Sequence, residues 1–401
     1  MINLEVPRKL KGLAEQAHDV AREYFRPISR RYDREEHKRP TELDALAAVM
    51  EGMEASGATM GAGAGGVRKE GGGEGNRNGA NMATLLGLIE LAWGDVGLLL
   101  TLPRQGLGNA AIAAVANEEQ RQRFAGMWAA MAITEPEAGS DSAAIKTTAR
   151  LEGDEWVLNG EKIYVTAGQR ADLLVVWATL DPTKGRAAIK PFVVEKDRPG
   201  LILERLEEKL GIRASDTAAF RLENCRIPKE NLLGSPEIEA EKGFGGVKQT
   251  FDNTRPLVAG MAVGLARAAL EETRRLVGEA GVLVDEQLPP NLQGAAAARL
   301  LELESDYEAA RLLALKAAWM ADNGKPNSLA ASMAKAKAGR SCVEIALSCV
   351  ELCGALGYSE ELLLEKWARD AKILDIFEGT QQIQLLIIAR QLLGKTSKEL
   401  R

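Results

Sequence analysis

Residues 156–165 read WVLNGEKIYV, two short apolar runs on either side of the pair Asn159-Gly160. A two-residue type I′ turn needs positive φ at both central positions, which Asn-Gly accepts readily. The pattern therefore predicts a β-hairpin, with Trp156–Leu158 and Ile163–Val165 as its two strands. A hairpin here indicates a β region near the middle of the chain.

Further strand signals lie on both sides of this hairpin. Apolar residues alternate with polar or small ones before it, at Ile145, Thr147, Ala149 and Leu151. After it, LLVVWATL (173–180) and PFVVE (191–195) are apolar runs of strand length. Together these segments predict a β domain over residues 126–238.

The sequence on either side of the β domain has helical periodicity. One N-terminal apolar stripe recurs at three- and four-residue steps: Leu10, Leu13, Ala17, Val20, Ala21, Tyr24 and Phe25. Two C-terminal stripes are Leu300, Leu303, Tyr307, Ala310, Ala314 and Ala317, and then Ala338, Cys342, Ile345, Cys349 and Leu352. We therefore predict a mainly α fold with a central β domain, flanked by helical domains over residues 1–125 and 239–401.

Two further segments need separate interpretation. The last helix, QIQLLIIARQLLG (382–394), is apolar nearly all round, which predicts burial in the core or at a subunit interface. Residues 57–79 hold Gly61, Gly63 and Gly66 in a GxGxxG register. No strand signal precedes them and no helix signal follows, so we predict a loop and not a dinucleotide fingerprint.

Composition excludes several classes of function. The chain of 401 residues is 46% apolar, and its 51 basic and 57 acidic residues give a net charge of −6, which argues against binding to nucleic acid. Neither a membrane-spanning run nor a secretory signal is visible, so we expect a cytoplasmic protein. Four Cys and two His provide neither a disulfide framework nor a His-based metal site, and no metal is expected.

Glu378 is the strongest candidate for chemistry. It lies in DIFEGTQQIQLLIIAR, after apolar Ile376 and Phe377 and before Gly379. A carboxylate in an apolar break between helices is costly to bury, and desolvation would raise its pKa and make it a better base. The alternative is a structural Glu beside the N-terminus of the next helix, where the helix dipole favours it. The sequence environment leaves both roles open.

Pro256, in FDNTRPLVAGMAVGLARAAL, is the centre of a second candidate segment. Proline has no N–H, so the carbonyl of Asp252 would lose its helical partner and could face a ligand beside Arg255. Alternatively a helix begins at Pro256, and Asp252 belongs to a loop. Both interpretations fit the sequence.

A third candidate is the segment TEPEAGSD, residues 134–141. Thr134, Ser140 and the backbone N–H groups near Gly139 could hold a phosphate or the edge of a flavin ring. Ser, Gly and Asp also mark ordinary loops, so the segment alone is not specific.

Seven stretches together resemble the acyl-CoA dehydrogenase family. In chain order they are AITEPEAGSD (132–141), LNGEKIYVTAG (158–168), LGIRASDT (210–217), IPKENLLG (227–234), FDNTRPLVAGMAVGLA (251–266), RDAKILDIFEGTQQIQ (369–384) and the last helix. Their order and spacing follow the family over most of residues 125–401. The N-terminal third is similar in helical pattern only.

The resemblance implies a fold and a reaction. The fold has N-terminal helices, a β-barrel-like middle domain and a C-terminal four-helix bundle, usually in a homotetramer. The reaction is FAD-dependent α,β-dehydrogenation of an acyl-CoA thioester to the trans-2-enoyl-CoA, with an electron-transfer flavoprotein as the electron acceptor. Glu378 would remove the α-proton while a hydride passes from Cβ to flavin N5. The family's alternative base position holds Thr254 here, which cannot serve.

The resemblance also implies which residues form the site. The residues expected to contact FAD are Ile133, Thr134, Ser140, Tyr164, Thr166, Gln293, Thr380 and Gln382. The residues expected to hold the CoA thioester are Ser140, Asp252, Arg255 and Gly379.

Two segments depart from the family pattern. Residues 278–294 lack the Arg and the Phe-Gly that reach the FAD of a neighbouring subunit, and ELCGA has Glu351 and Ala355 where the family has Gln and Gly. One alternative is therefore a subunit of a hetero-oligomeric dehydrogenase whose partner completes the FAD site. Another is a flavin-poor, non-catalytic binding paralogue, which the net charge and the intact Glu378 disfavour.

Overall fold

The computed structural model describes residues 6–44, 46, 78–102, 107–238, 245–396 and 399, with the backbone alone for residues 245–253. Gly61, Gly63 and Gly66 lie outside the described residues, as do residues 57–77 of the predicted loop.

Helices form the N-terminal part of the chain. Their bounds are α1 Arg8–Val20, α2 Arg26–Arg34, α3 Ala80–Gly94, α4 Val96–Leu99, α5 Leu107–Val115 and α6 Glu118–Arg123. A π-helical turn, Ala21–Phe25, joins α1 to α2. Ala17 and Phe25 of the predicted stripe are buried, but Tyr24 is exposed, which corrects the prediction. The wider π turn shifts the phase of the stripe and directs Tyr24 outward.

Seven strands form one curled sheet. Their bounds are β1 Ala129–Ala132, β2 Thr148–Glu152, β3 Glu155–Thr166, β4 Leu173–Thr179, β5 Ile189–Glu195, β6 Leu201–Leu206 and β7 Thr217–Pro228. The order is β1-β4-β2-β3-β7-β6, with β5 paired to β4. The strands predicted in LLVVWATL and PFVVE are confirmed as β4 and β5. Every residue of β4 is buried because both faces of the sheet are covered there, which explains its continuous apolar run.

The hairpin predicted at Asn159-Gly160 is wrong. β3 passes through both residues, and the turn that joins β2 to β3 lies at Gly153, where φ is +63°. Gly160 instead marks a bulge against β7, and a Cβ there would lie 2.3 Å from Thr147 Oγ1. The close approach of Thr147 requires glycine at this position, so the Asn-Gly pair forms part of a bulge.

Long helices complete the chain as a bundle. Their bounds are α7 Gly245–Glu279, α8 Ala295–Asp322, α9 Ser328–Leu352, α10 Gly354–Tyr358, α11 Leu364–Leu374 and α12 Gln381–Leu393. α7, α8, α9 and α11 pack together as the four-helix bundle, and their core continues into α3. A Cβ at Gly264 of α7 would lie 2.2 Å from the Ile89 carbonyl of α3, so glycine permits this close crossing.

Pro256 lies inside α7 and does not begin it. The helix begins at Gly245, so the alternative in which a helix starts at Pro256 is wrong. Asp252 is therefore helical, and Pro256 has no N–H to donate to its carbonyl. The side chain of Asp252 lies outside the described residues.

The last helix is more exposed than a core helix. Within α12 only Gln384 is buried, while several apolar side chains face outward: Leu385, Leu386, Leu392 and Leu393. Burial in the core of one chain is therefore wrong for α12. A subunit interface stays the prediction for this surface.

Three further observations bear on the expected class of protein. Among the described residues, no helix combines the length and the apolar character needed to cross a membrane. Over the same ranges, no group of three His, Cys, Asp or Glu side chains could hold a metal ion. Cys342 and Cys349 are free thiols in the core, as their stripe predicts.

Candidate active site

The break between α11 and α12 carries Glu378. Glu378 and Gly379 have φ of +58° and +94°, a left-handed backbone that is uncommon for glutamate. Such a conformation persists only where the surroundings hold it. Here the Gln381 N–H donates to the Asp375 carbonyl at 3.1 Å, and the Thr380 side chain caps α12. These contacts fix the direction in which the Glu378 side chain leaves the turn.

The Glu378 carboxylate is directed toward α7. The Thr254 hydroxyl donates a hydrogen bond to Glu378 Oε2 at 2.7 Å. Burial raises the pKa of the Glu378 carboxyl above its ordinary value. The Thr254 hydrogen bond and the positive charges of Arg255 and Lys335 act in the opposite direction without cancelling the rise. A carboxylate in this environment is a stronger base than an exposed one.

Two buried side chains that the sequence analysis missed support this turn. Lys335 of α9 donates from Nζ to the Gly379 carbonyl at 2.7 Å. Gln384 of α12 donates from Nε2 to the same carbonyl at 3.0 Å and to the Glu378 carbonyl at 3.2 Å. The turn is therefore held from two helices at once.

Arg255 follows Thr254 on α7 and is also buried. Its positive charge lowers the pKa of both Glu378 and Lys335. The structure thus brings Arg255 and Gly379 together with Glu378, as the resemblance implies. Asp252 lies three residues before Arg255 on the same helix, and its role stays a prediction.

A second group of candidate residues lies where β1 and β3 end, at Ala132 and Thr166; we call this end of the strands the sheet edge. The Ile163 N–H donates to the Thr134 carbonyl at 2.9 Å, which joins the segment after β1 to β3. Tyr164 has φ of +54° and is 59% exposed, while Thr134 and Thr166 are partly exposed. Ile133 precedes Thr134 and is partly exposed as well. An exposed aromatic ring on a strained backbone, beside hydroxyl groups, can form a ligand surface.

A buried ion pair supports this edge. Lys162 Nζ lies 2.6 Å from Glu135 Oε1 and donates to the Ile133 carbonyl at 3.2 Å. Glu135 also accepts a hydrogen bond from the Thr147 N–H at 3.0 Å. Burial lowers the pKa of Lys162 to about 8, although the Glu135 charge opposes the shift. The sequence analysis missed this pair, which fixes the path of the TEPEAGSD segment.

Residues 210–217, LGIRASDT, connect the sheet edge to α11. The Asp216 carbonyl accepts a hydrogen bond from the Ala167 N–H at 3.0 Å, directly after the end of β3. The Ile212 N–H donates to Asp370 Oδ1 of α11 at 2.5 Å. A continuous series of contacts therefore relates the sheet edge to the helix that leads into the Glu378 turn.

Three other predicted residues are accessible to a ligand. Ser140 is exposed in the segment that follows Thr134. Gln382 is exposed in the first turn of α12, and Thr380 is partly exposed. Thr380 and Gln382 thus lie directly after the Glu378 turn.

The structure does not bring Gln293 to these residues within one chain. Gln293 lies in the loop after α7, where its Nε2 donates to the carbonyls of Asp285 and Leu288 at 2.9 and 3.0 Å. Thr254, which contacts Glu378, lies near the beginning of α7. At 1.5 Å per residue the helix end at Glu279 is about 37 Å farther along the axis.

Three family models match the chain. They are described as acyl-CoA dehydrogenase N-terminal domain, middle domain and C-terminal domain, and they match residues 8–132, 130–225 and 241–393. Together they account for most of the sequence.

Individual proteins are similar over long alignments. The short-chain specific acyl-CoA dehydrogenase of Rattus norvegicus, a mitochondrial protein, is 42% identical over 268 residues, which are 65% of this chain and 62% of the rat protein. The alignment therefore spans less than two thirds of that relative. The butyryl-CoA dehydrogenase structure from Megasphaera elsdenii has a TM-score of 0.83 and 30% identity, covering 98% of this chain and 100% of the other. A structure described as the electron transferring flavoprotein of Acidaminococcus fermentans is similar to the same degree, with a TM-score of 0.83 and 30% identity, covering 98% of this chain and 100% of the other.

Proposed function

This chain belongs to the acyl-CoA dehydrogenase family, and on that basis we propose that it oxidises an acyl-CoA thioester to the trans-2-enoyl-CoA, with Glu378 as the base. The observation that carries the proposal is the placement of Glu378, a partly buried carboxylate on a left-handed turn with Thr254 as its hydrogen-bond donor. Members of the family are FAD-dependent. The relatives named for short-chain and butyryl-CoA substrates support a thioester as substrate.

The carbon acid in this reaction is weak, so Glu378 needs two kinds of assistance. Burial raises the pKa of its carboxyl and makes it a better proton acceptor. Negative charge that develops on the thioester oxygen also needs a hydrogen-bond donor. The N–H of Glu378 lies outside both helical ladders, because α11 ends at Leu374 and α12 begins at Gln381. We assign this N–H to the thioester oxygen, while the α-proton passes to the Glu378 carboxylate.

The residues at the sheet edge fit FAD. Tyr164 presents an exposed aromatic ring beside the partly exposed Thr134 and Thr166, which suits a flat ring system with a polar edge. The residues that we assign to FAD in the same chain are Ile133, Thr134, Ser140, Tyr164, Thr166, Thr380 and Gln382. Bound FAD would supply, at N5, the acceptor for the hydride from the β-carbon.

The thioester and the CoA moiety need a separate set of contacts. We assign Arg255 and Gly379 to this role, since both lie against the Glu378 turn. Ser140 and Asp252 complete the set on the strength of the family resemblance.

Spectroscopy tests the proposed reaction directly. The full-length protein is loaded with FAD, freed of excess cofactor and titrated anaerobically with acyl-CoA thioesters of increasing chain length. We expect bleaching of the visible flavin absorbance with at least one thioester, and formation of the enoyl-CoA product. A loaded protein that bleaches with none of them refutes the proposal.

Gln293 favours an oligomer in which subunits share the FAD site. It lies in the loop beyond the far end of α7, where Glu279 is about 37 Å along the helix axis from Thr254, so we infer that it reaches FAD from another subunit. We propose a homotetramer, with the exposed leucines of α12 as part of an interface. Because residues 278–294 lack the usual Arg, a hetero-oligomer is the second candidate. Stoichiometric FAD in the protein purified alone would exclude the second candidate.

The electrons must leave the loaded enzyme after each turnover. We propose an electron-transfer flavoprotein as the acceptor, which the similarity to the Acidaminococcus fermentans structure supports. A cytoplasmic location and the domain limits 1–125, 126–238 and 239–401 remain predictions from the sequence.

A further inference from the structure

Lys335 is a buried cation directly beneath the Glu378 turn. Its side chain is fully buried on α9, and Nζ lies 2.7 Å from the Gly379 carbonyl oxygen. An ammonium group loses most of its hydration when it is buried, so it persists only where charges and hydrogen bonds compensate. The proposed reaction gives this group no role.

The charges around Lys335 come from three different elements. Asp375 follows α11, Glu378 lies on the turn before α12, and Arg255 lies on α7. Burial lowers the pKa of Lys335 to about 8, and Arg255 acts in the same direction, whereas Asp375 and Glu378 favour the ammonium form. The ammonium form is therefore present on the acid side of pH 8, where the base must be kept ionised. Three side chains act on Glu378 from α7 and α9: Thr254, Arg255 and Lys335. Lys335 is therefore, with Arg255, a cation that compensates the charge of the Glu378 carboxylate.

The position of Lys335 is fixed by its helix. One turn farther along α9, a Cβ at Gly339 would lie 2.6 Å from the Leu374 carbonyl at the end of α11. Backbone contact of this kind packs α9 closely against the end of α11. This packing places the Lys335 ammonium group within hydrogen-bond distance of the Gly379 carbonyl.

We propose that Lys335 is a positioning residue for Glu378, which fixes the Gly379 carbonyl and supplies the positive charge that keeps the Glu378 carboxylate ionised and ready to accept a proton. This inference rests on the proposed function, in which Glu378 is the base. The hydrogen bond and the charge can be separated, because Gln384 Nε2 donates to the same carbonyl at 3.0 Å. Removal of Lys335 leaves that carbonyl with one donor but removes the charge.

Three variants of the FAD-loaded protein test the inference, and Lys335→Gln replaces Lys335→Met if the latter does not fold. Lys335→Met removes the charge at similar volume, Lys335→Arg keeps it, and Gln384→Met removes one donor to the Gly379 carbonyl without a change of charge. For each protein, kcat/KM is measured against pH with a thioester that the wild type oxidises. Without the Lys335 charge, Glu378 ionises less readily, so the acid limb of the Lys335→Met profile should move to higher pH. We expect a loss of roughly tenfold or more at the acid end, with recovery in alkaline solution.

The controls decide the interpretation. For Gln384→Met, kcat/KM should fall at every pH while the acid limb keeps its wild-type pH. For Lys335→Arg, the acid limb should also lie near its wild-type pH. If Lys335→Met and Gln384→Met have profiles of the same shape, the inference is overturned. If neither Lys335→Met nor Lys335→Gln folds while Lys335→Arg does, Lys335 is a stabilising residue only, which also overturns it. A wild type that oxidises no thioester refutes the proposed function instead, so the two failures are distinguishable.

Discussion

The Thr254 hydroxyl and the Glu378 carboxylate meet between α7 and the turn before α12, 2.7 Å apart. These are the two positions at which the family resemblance places the base. Their contact gives a physical reason for the alternative, because a carboxylate extended from either position would reach nearly the same point. In this chain Thr254 is the hydrogen-bond donor to Glu378, the base that we propose.

Glu378→Gln should abolish most of the activity and leave the cofactor in place. The amide keeps the shape of the carboxylate but cannot accept the α-proton, so we expect turnover to fall by roughly 10²–10⁴-fold. Flavin content and the visible spectrum should match the wild type. Glu378→Asp, which keeps the acid but shortens the side chain, is the control. Wild-type turnover in the Gln variant would show that another group is the base.

Thr254→Val should change the pH dependence of activity. The Thr254 hydroxyl donates to the carboxylate and lowers the pKa of Glu378, so its removal raises that pKa further. Turnover in mildly acidic solution should fall several-fold relative to the wild type and recover as the pH rises. Thr254→Ser keeps the hydroxyl and should retain the wild-type profile. An unchanged profile for the Val variant would exclude a role for this hydrogen bond.

The turn between α11 and α12 depends on Gly379. Gly379→Ala places a Cβ at φ of +94°, about 2.5 Å from Gln384 Nε2, so both strain and a clash oppose it. We expect a loss of roughly 1–3 kcal/mol in the free energy of unfolding, together with reduced activity.

Gly394 offers a matched control at the other end of α12. It also has a left-handed φ, +63°, but a Cβ there meets nothing within 4 Å. Gly394→Ala should therefore cost only about 1 kcal/mol and leave turnover intact. Denaturant unfolding of both variants measures the difference, and equal losses would show that the Gln384 contact is unimportant.

Local sequence predicted these elements where local forces decide them. The apolar stripes of α8 and α9, the continuous run of β4 and the break between helices at Glu378 all follow from periodicity or composition. The Asn159-Gly160 pair did not, because a contact with Thr147, 13 residues earlier in the sequence and on the neighbouring segment, determines the role of Gly160. Lys335 was missed because one lysine in an Ala-rich helix usually points to solvent. The available signal was its place on the apolar face between Ala331 and Ala338.

Glu135→Gln should destabilise the edge of the sheet. The variant leaves the Lys162 ammonium buried without its carboxylate, which typically costs roughly 3–5 kcal/mol. Glu135→Gln combined with Lys162→Met should recover much of that loss, since no charge is then buried. If the double variant is less stable than the single one, the pair does not act as a coupled unit.

The same pair predicts a loss of stability in acid. Burial raises the pKa of Glu135, but Lys162 and the backbone donors outweigh it, so the pKa in the folded state is lowered. A carboxyl group whose pKa is lower in the folded state than in the unfolded state stabilises the fold at pH values above its unfolded pKa. This contribution is lost as the pH falls through its folded pKa. The wild type should therefore lose this contribution below about pH 4. Glu135→Gln should lack this part of the pH dependence of unfolding.

One buried network of charged side chains joins three distant stretches of the sequence. Lys366 of α11 lies 2.7 Å from Asp95, which precedes α4, and 2.5 Å from Asp370. Burial opposes the charge on Lys366, but the carboxylates of Asp370 and Asp95 outweigh it and raise its pKa. Asp370 also accepts a hydrogen bond from the Ile212 N–H, which connects α11 to the β domain. The N-terminal helices, the sheet and the bundle thus share one set of charges.

Lys366→Met should destabilise the fold as a unit. Two buried carboxylates would lose their common cation, and we expect roughly 3–5 kcal/mol of lost stability. Lys372→Met, on the half-exposed face of the same helix, should stay within about 0.5 kcal/mol of the wild type. Unfolding followed by both near-UV and far-UV circular dichroism would measure each loss. A variant in which the sheet alone unfolds would contradict a shared network.

The contact between Ile212 and Asp370 has a consequence for protein engineering. A Cβ at Gly211 would lie 2.5 Å from the Arg369 backbone, so the two chain segments fit only with this glycine next to this carboxylate. A chimera whose middle domain comes from a relative would need compatible residues at both Gly211 and Asp370. Otherwise the graft would displace the strand ends to which we assign FAD relative to Glu378, the proposed base.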